Sequence, residues 1–504
     1  MGLKGCLVLQ RRFAYVGHEL AILLKEKHGV EEFCAFVSLR ESYDFLKSQN
    51  DIRYSGSLLD EDVQKKYKDE PLDMRYIGRF EAAYGSAWDF IKVDRIVHLG
   101  QLVREYPHAR SPYTKEEMLR MVQVYGKSVE AFLEREKPDF VLTYQPGALW
   151  MLMMYRIAKK KGIPVLTIVL PTTRNRVLFS QEYDSLTWVD ESFKRYLGKP
   201  LRDVPGLAEA QRFIEEFRAR PVMYSEVYSE LIQHGAWKQF RFLLPGRIGG
   251  SLRSLFFLFY NWCTDPNKRS DYNALNPFLY LYDRTKRKLR ALRGAGDLYD
   301  AYDAGKPYAF YALHFEPELS VLLLSPNNTD QISIVRMLAR ALPPGMLLYV
   351  KEHPQMTAYR PRSYYKELKK TPNVRLLRPE LSSFDIMRGA ALVSTITGAA
   401  GWEAALLGRP VLTFGDVFYN ALPSVGHYAG ERELPALVER LLKTPVPLEE
   451  SERYLAALLE DSAECDILSV WEKEEDGTKK RAELAGVAEL LAKKIRIVTA
   501  SRKN

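Results

Sequence analysis

Residues 394–419 read STITGAAGWEAALLGRPVLTFGDVFY, a pattern that predicts a strand end, a glycine-containing loop, a helix and a second strand. The small residues at 398–401 would let a ligand approach the backbone where the helix begins. Free N–H groups and the helix dipole favour a phosphate at such a terminus. Gly408 and Pro410 mark the turn into the second strand, VLTF at 411–414. This order is typical of a nucleotide-binding α/β fold.

Glu403 is expected within the first turn of that helix, where its carboxylate could accept hydrogen bonds from ribose hydroxyls. The alternative is that Glu403 only caps the helix and that the glycines only allow tight packing. A helix start with several glycines does not by itself distinguish a nucleotide site from close packing.

A second motif, MLLYVKEHPQM at 346–356, predicts an apolar strand that stops at Lys351 and is followed by His353 and Pro354. Open α/β sheets bind ligands at the carboxyl ends of their strands, which is where this histidine would lie. Its ring could donate to a phosphate or carry a proton. The alternative is a purely structural histidine.

A third motif, YALHFEPELS at 311–320, follows the strand that opens the second half of the chain. Glu316 and Glu318 come shortly after His314. Two carboxylates in a loop at a strand end suit glycosyl chemistry, in which one of them can attack or stabilise an oxocarbenium-like centre. A solvated acidic turn is the alternative.

Strand and helix patterns also alternate in the first part of the chain. Apolar runs at 3–10, 33–39, 137–147 and 162–170 predict strands of a parallel sheet, with a helix at about 14–27. Residues 42–136 predict helices, as do the aromatic and basic residues 201–298. We therefore expect an α/β fold with the following parts: an N-terminal domain (1–200), a helical connection (201–304), a nucleotide-binding domain (305–430) and C-terminal helices that pack back on the domains (431–504).

The composition is that of a soluble globular protein. Of the 504 residues 46% are hydrophobic and 27% are charged, and the formal net charge is +9. A positive charge favours anionic partners such as nucleotides, acidic sugars or a membrane surface. The chain has no helix-turn-helix, zinc or RNA-binding motif, so nucleic acid is not expected as a partner.

The four cysteines are scattered and predict reduced thiols in a cytoplasmic protein. The first residues are too short in their apolar part for a signal peptide, and no run is long enough to span a bilayer. Asp60, Glu61 and Asp62 are interpreted as a solvated turn, because no strand is recognised before them. Neither a metal nor a cofactor is expected.

Basic and polar residues follow several strands of the first domain and are candidates for binding an acceptor or anion, since arginine suits carboxylates and phosphates. They are Arg11, Arg12, Gln145, Arg174 and Arg176. The segment 235–262 combines arginines with large apolar side chains and could dock on an anionic membrane surface. A helix packed between the domains is the alternative.

Taken together, the three motifs resemble bacterial capsule polysaccharide biosynthesis proteins. The resemblance covers about 308–419 well and the N-terminal half only in outline. Characterised members of that family are Kdo transferases of GT-B architecture that use CMP-Kdo. The resemblance therefore implies two Rossmann-like domains that face each other across a cleft.

The resemblance also implies roles for individual residues. His353 would be catalytic and lie at the donor phosphate, and Glu318 would take the place of the family's nucleophilic aspartate, with Glu316 at the preceding glutamate. This chain departs from the family pattern, because His314 replaces a glutamine, Pro317 replaces an aspartate and Glu318 is one methylene longer than the usual residue. The donor site would comprise His314, Lys351, Pro354, Ser394, Thr395, Thr397, Gly398, Glu403, Phe418 and Tyr419.

The expected function is transfer of an acidic sugar, Kdo or a related one, from a CMP-linked donor to a glycolipid or oligosaccharide acceptor in cell-surface polysaccharide biosynthesis. The resemblance implies a metal-independent reaction that retains configuration through a covalent intermediate on Glu318. The protein would work in the cytoplasm, at the inner face of the membrane. One alternative is a GT-B-like sugar-nucleotide epimerase. Another is a non-catalytic family member that acts as an envelope-assembly partner.

Overall fold

Two sheets of mainly parallel strands organise the chain. The computed structural model describes residues 2–10, 13–100, 111–173, 175–222, 244–266, 276–472 and 476–502. The first sheet contains β1 (Leu3–Leu9), β2 (Val30–Val37), β3 (Tyr54–Leu59), β4 (Phe140–Tyr144), β5 (Val165–Val169) and β6 (Arg176–Ser180). Their order is β6-β5-β4-β1-β2-β3, and only β6 runs antiparallel to its neighbour in this group.

Helices cover both faces of this sheet. They are α1 (Phe13–His28), α2 (Arg40–Ser48), α3 (Asp60–Lys65), α4 (Met74–Tyr84), α5 (Ala87–Val93), α6 (Arg95–Leu99), α7 (Lys115–Glu136), α8 (Leu149–Lys160), α9 (Thr187–Leu197) and α10 (Leu207–Ala219). The longest of them, α7, begins at a capping box formed by Thr114 and Glu117. Phe36 of β2 packs on Trp150 of α8, so the core lies between sheet and helices.

In the described part of the connection, two helices lie between the domains, α11 (Pro245–Thr264) and α12 (Pro277–Arg293). Helix α11 has no buried residue. Phe259 of α11 packs on Phe278 of α12. Arg287 of α12 lies over the ring of Tyr359, which attaches this helical pair to the second domain. Among the described helices, none is both long enough and apolar enough to cross a membrane.

The second sheet is entirely parallel, in the order β12-β11-β10-β7-β8-β9. Its strands are β7 (Tyr308–Ala312), β8 (Leu347–Lys351), β9 (Val374–Leu377), β10 (Leu392–Thr395), β11 (Val411–Thr413) and β12 (Val425–His427). Its helices are α13 (Leu319–Leu324), α14 (Gln331–Ala341), α15 (Arg362–Leu368), α16 (Ser383–Gly389), α17 (Ala399–Leu406) and α18 (Leu434–Lys443). Gly408, at φ +72°, ends α17 before Pro410 leads into β11.

The last part of the chain returns to the first domain as α19 (Leu448–Glu460), β13 (Ala463–Glu464), α20 (Ile467–Glu472) and α21 (Gly477–Ser501). Strand β13 pairs antiparallel with β6, and α21 packs on α1. Tyr454 of α19 contacts both domains: its hydroxyl donates to Asp190 at 3.0 Å, and its ring packs on Trp402. This segment therefore ties the second domain to the first.

The expected α/β class with two Rossmann-like domains is confirmed. Some local expectations were wrong. The supposedly helical stretch 42–136 contains β3, whose mixed sequence YSGSLL lacks a strong apolar pattern. Asp60 follows β3 directly and is buried, with its carboxylate accepting from Tyr125, so the solvated-turn interpretation is also wrong. Four further strands were not predicted: the antiparallel β6 and the short β9, β12 and β13.

Candidate active site

Three loops meet at one edge of the second sheet. Strands β10, β7 and β8 are parallel neighbours, so their carboxyl ends lie side by side. The loops that follow them are 313–318, 352–354 and 396–398. This edge is where open α/β sheets bind ligands. The three motifs singled out in the sequence are therefore brought together in space.

The imidazole of His314 joins two of these loops. Its Nε2 accepts a hydrogen bond from the backbone N–H of Ile396 at 3.0 Å, and the Thr395 hydroxyl lies 2.9 Å from the same nitrogen. Since a backbone N–H can only donate, the neutral ring carries its proton on Nδ1. That N–H donates to the carboxylate of Glu318 at 2.9 Å.

Glu318 immediately precedes α13, and its side chain is 34% exposed, so a ligand can reach it. Burial raises the pKa of this carboxyl. Hydrogen bonds from His314 and Ser320 lower the pKa and outweigh burial, which leaves it below its usual value. The arrangement provides an ionised, accessible carboxylate.

Glu316 points to different partners. Its Oε1 accepts from the Gln331 amide at 2.6 Å, and its Oε2 accepts from the Arg360 guanidinium at 3.0 and 3.1 Å. Both carboxylate oxygens are therefore engaged in holding the loop. In this arrangement Glu316 supports the site, whereas Glu318 faces it.

Arg360, which the sequence reasoning missed, connects the loops after β7 and β8. It is fully buried, pairs with Glu352 as well as Glu316, and donates to the carbonyl of His314 at 2.6 Å. Tyr365 donates to the other oxygen of Glu352 at 2.8 Å. Burial lowers the pKa of Arg360, but the two carboxylates more than offset this and raise it. Glu352 after an apolar strand was the available signal, because a buried carboxylate needs a cation.

His353 is a neutral donor at this edge. Its Nδ1 accepts from the backbone N–H of Gln355 at 3.2 Å, which leaves the proton of the neutral ring on Nε2. Burial lowers the pKa of His353 to about 4. Pro354 begins the single 3₁₀ turn Pro354–Met356 that this contact caps. The neighbouring Lys351 is buried, and burial lowers its pKa to about 8.

The start of α17 forms the third side of the site. Gly398 is its N-cap and donates its N–H to the Thr395 hydroxyl at 3.0 Å. A Cβ at Gly398 would lie 2.7 Å from Thr395 Oγ1 and 3.1 Å from Cε1 of His314, so only glycine fits. Thr397 donates to Ser320 at 3.2 Å. The buried Ser394 hydroxyl has no hydrogen-bond partner among the described residues.

Glu403 lies in the second turn of α17, not the first as expected, because the helix begins at Ala399. It is only 8% exposed, and burial raises its pKa to about 7. Tyr419 donates to the carbonyl of Gly398 at 2.6 Å, and Phe418 packs on Trp402. Phe418 and Tyr419 thus pack against α17 and support it.

A cavity of about 230 Å³ separates the two domains next to this edge. Its lining comes from both of them: Gln10, Ser38, Leu39, Val93, Asp94, Arg95, Ile96, Gly147, Ala148, Trp150, Leu319, Leu322 and Trp471. The buried carboxylate of Asp94 accepts from the backbone N–H groups of Ile96, Val97 and Leu149, so it joins the starts of α6 and α8. Leu319, the residue that follows Glu318 in the chain, is part of this lining, so the cavity between the domains reaches the start of α13.

The predicted acceptor residues are less well defined. Arg11, Arg12 and Arg174 lie outside the described residues. Gln145 follows β4 and is half-buried. Arg176 begins β6 and pairs with Glu209 at 2.9 Å. In the described ranges, no group of three His, Cys, Asp or Glu residues is arranged to hold a metal ion.

This geometry defines a class of protein: an α/β protein with two Rossmann-like domains, a cleft between them, and a candidate ligand-binding edge on the second sheet. Residues 264–423 match the model of the family described as capsule polysaccharide biosynthesis protein. The matched segment contains all three motifs. The family resemblance inferred from them is thus confirmed for this part of the chain.

Individual relatives are more distant. Protein FixF of Sinorhizobium fredii is 28% identical over 120 residues, which are 23% of this chain and 29% of FixF. The β-Kdo 2,7 transferase KpsC of Thermosulfurimonas dismutans is 14% identical, with 65% of this chain and 79% of that chain covered and a TM-score of 0.35. A UDP-GlcNAc 2-epimerase from Neisseria meningitidis bound to UDP-GlcNAc is 13% identical, covering 91% of this chain and 100% of the other, with a TM-score of 0.26. Likeness at this level assigns no substrate.

Proposed function

We propose that this protein is a glycosyltransferase of capsule or cell-surface polysaccharide biosynthesis. It transfers an acidic sugar, Kdo or a related one, from a CMP-linked donor to a saccharide or lipid-linked acceptor. The observation that carries the proposal is the ionised, reachable carboxylate of Glu318, which His314 holds one residue before Leu319 in the lining of the cavity between the domains. The family match over 264–423 supports the same pathway.

In the first step a carboxylate oxygen of Glu318 attacks the anomeric carbon of the bound sugar. A bond forms between this carbon and the glutamate oxygen, while the bond between the carbon and the CMP phosphate oxygen breaks. The electron pair of that bond leaves with CMP, and a glycosyl ester remains on the enzyme.

In the second step an acceptor hydroxyl, entering from the cavity, attacks the same carbon. The bond to Glu318 breaks, the carboxylate is restored and the hydroxyl proton passes to solvent or to a base in the site. Two displacements at one carbon retain its configuration.

The donor's phosphate is proposed to lie between the Nε2–H of His353 and the N-terminus of α17. A helix start offers N–H groups and a positive dipole end to an anion, and a neutral imidazole adds one more donor. Glu403 is proposed to accept hydrogen bonds from the ribose. No step of the chemistry is assigned to these groups beyond holding CMP and stabilising its charge as it leaves.

Helix α11 is proposed to contact the inner face of the cytoplasmic membrane. Ile248, Leu252, Phe256 and Tyr260 follow one another at four-residue spacing and are all exposed, Leu252 and Phe256 at 62% each. No acidic residue occurs between 244 and 264, whereas two arginines do. An apolar stripe with cations alone suits an anionic phospholipid interface. We expect the protein to bind phosphatidylcholine vesicles more strongly when phosphatidylglycerol is added. The variant L252S/F256S should bind these vesicles less than the wild-type protein. Equal binding by the variant and the wild-type protein would contradict the proposed membrane contact.

The nucleotide is tested by thermal unfolding of the full chain with CMP, UDP or GDP. A ligand that binds only the folded state stabilises it by about 2.7 kcal/mol at a hundred times its Kd. Stabilisation by CMP that is lost in H353A supports the proposal. The control variant R362A removes a partly exposed ion pair with Asp297 and should keep the CMP effect. Preference for UDP or GDP contradicts the proposed donor.

A further inference from the structure

We propose that His314 is a positioning residue, which orients Glu318 and keeps it ionised through a single tautomer imposed by the backbone at residue 396. The inference rests on the proposed function, in which Glu318 attacks the sugar. It goes further by naming the group that prepares Glu318 for attack and by stating which ring nitrogen carries the proton.

The tautomer of His314 follows from its backbone neighbours, because a backbone N–H can donate a hydrogen bond but cannot accept one. The N–H of Ile396 points at Nε2 of His314 from 3.0 Å, and the N–H of Thr397 lies 3.4 Å from the same atom. A proton on Nε2 would therefore face two N–H groups. The His314 side chain is only 4% exposed, so water cannot readily replace these contacts. The Nδ1–H, the remaining polar group of the ring, donates to Glu318.

The main chain of His314 is fixed as firmly as its ring. The backbone N–H donates to Gln331 Oε1 at 2.7 Å, and the carbonyl accepts from Arg360 at 2.6 Å. Contacts at the N–H, the carbonyl and both ring nitrogens leave the imidazole little freedom to rotate. A donor held in this way can select one orientation of the Glu318 carboxylate.

The order carboxylate, imidazole, hydroxyl resembles a hydrolytic triad, with Thr395 in the place of the nucleophile. Two facts argue against that role. Thr395 is only 1% exposed, and its Oγ1 already accepts from the N–H of Gly398. In contrast, Glu318, on the other side of the imidazole, is accessible. The hydrogen-bonded series therefore orients the Glu318 carboxylate, and Thr395 holds the His314 ring in place.

Few other groups influence the charge on Glu318. Ser320 donates a hydrogen bond from its own helix, and His353 approaches from the loop after β8. The hydroxyl of Tyr419, from the segment after β11, lies near enough for the Glu318 charge to affect its pKa. Since burial lowers the pKa of His353 to about 4, that ring is neutral at neutral pH and cannot substitute for the hydrogen bond from His314.

The tautomer can be measured without any substrate. Long-range ¹H–¹⁵N spectra of histidine-labelled protein at pH 7.5, assigned with H314N, are expected to show His314 as a neutral ring protonated on Nδ1. In E318Q the Nδ1–H resonance should move, because its acceptor loses the charge. A ring protonated on Nε2, or on both nitrogens, overturns the inference and leaves the proposed function untouched.

The effect on Glu318 is read from the pH dependence of CMP release from CMP-Kdo. Asparagine at 314 can place an amide N–H near the position of Nδ1, whereas glutamine can only replace the acceptor near Nε2. H314Q should lose roughly 10- to 100-fold at the acid end, since a hydrogen bond to a charged group is lost, and its acid limb should move to higher pH. H314N, which keeps a donor to Glu318 but loses the acceptor for the Ile396 N–H, should retain more activity than H314Q and have its acid limb nearer that of the wild-type protein. A folded H314Q with an unmoved limb overturns the inference, while absence of CMP release by the wild-type protein counts against the proposed donor instead.

Discussion

Gly147 of the first domain lies directly against Leu319 of the second. A Cβ added at Gly147 would lie 1.6 Å from Cδ1 and 2.3 Å from Cγ of Leu319. Leu319 is the first residue of α13 and follows Glu318 in the chain. Because glycine has no side chain, Gly147 allows the first domain to approach the segment that carries the Glu318 carboxylate. The glycine does not have a positive φ, so its conformation is open to alanine.

We expect G147A to slow the reaction without unfolding the protein. Its methyl group must push Leu319, and with it the start of α13, away from the first domain. A displacement of about 1 Å in a catalytic group can cost on the order of 100-fold in rate. CMP release from CMP-Kdo should fall by roughly 10- to 100-fold on that basis.

The double variant G147A/L319A separates this effect from others, because removing the leucine side chain removes the clash. It should recover most of the activity lost in G147A. G78A, in an exposed part of α4 with no atom within 4 Å of the added group, is the matched control. Wild-type rates for G147A would contradict the proposed role of this contact.

Replacing Arg360 should destabilise the second domain strongly. R360M leaves Glu352 and Glu316 without their cation, and removing one partner of a buried ion pair typically costs about 3–5 kcal/mol. The control is R362M two residues later, whose exposed pair with Asp297 is worth at most about 1 kcal/mol. Urea unfolding measures both. Similar free energies of unfolding for the two variants would show that the Arg360 network does not stabilise the site.

Glu403 should make stability depend on pH. Its folded-state pKa of about 7 lies above the ordinary value of 4.5. Between these values the unfolded chain has lost the proton that the folded protein keeps, so the free energy of unfolding falls as pH rises. The loss is complete above pH 7 and amounts to about 3 kcal/mol by the usual conversion.

E403Q cannot ionise, so it should unfold at a higher temperature than the wild-type protein at pH 8. The advantage should vanish below pH 4.5, where the wild-type carboxyl becomes protonated in both states. Thermal unfolding of the two proteins across this range provides the measurement. A constant difference between them at every pH would mean that Glu403 does not titrate as its burial requires.

The sequence indicated that the three motifs lie at one edge of a sheet, and the reason is physical. His314, His353 and Gly398 each follow a strand, and parallel strands present their carboxyl ends at one edge. It could not show that Glu316 and Glu318, two residues apart, face different partners. Glu352 indicated that a buried cation was needed, but no local pattern identified Arg360 as that cation or joined it to Glu316, which lies 44 residues away.

The position of Glu403 depended on where α17 begins, and helix ends are set by local capping that a pattern of small residues leaves open. Strand β3 was not predicted because its half-buried and polar residues do not form a clear apolar pattern. Pairing with β2, and not a local sequence pattern, defines this strand.

The central claim is that Glu318 carries the sugar during transfer, and intact-protein mass spectrometry tests it most directly. After brief exposure of the full chain to CMP-Kdo without acceptor, we expect a mass increase of one sugar residue, mapped by proteolysis to the peptide that contains Glu318. E318Q, which keeps the size of the side chain but not its charge, should show none. Release of CMP without any adduct, or an adduct that persists in E318Q, would contradict the account.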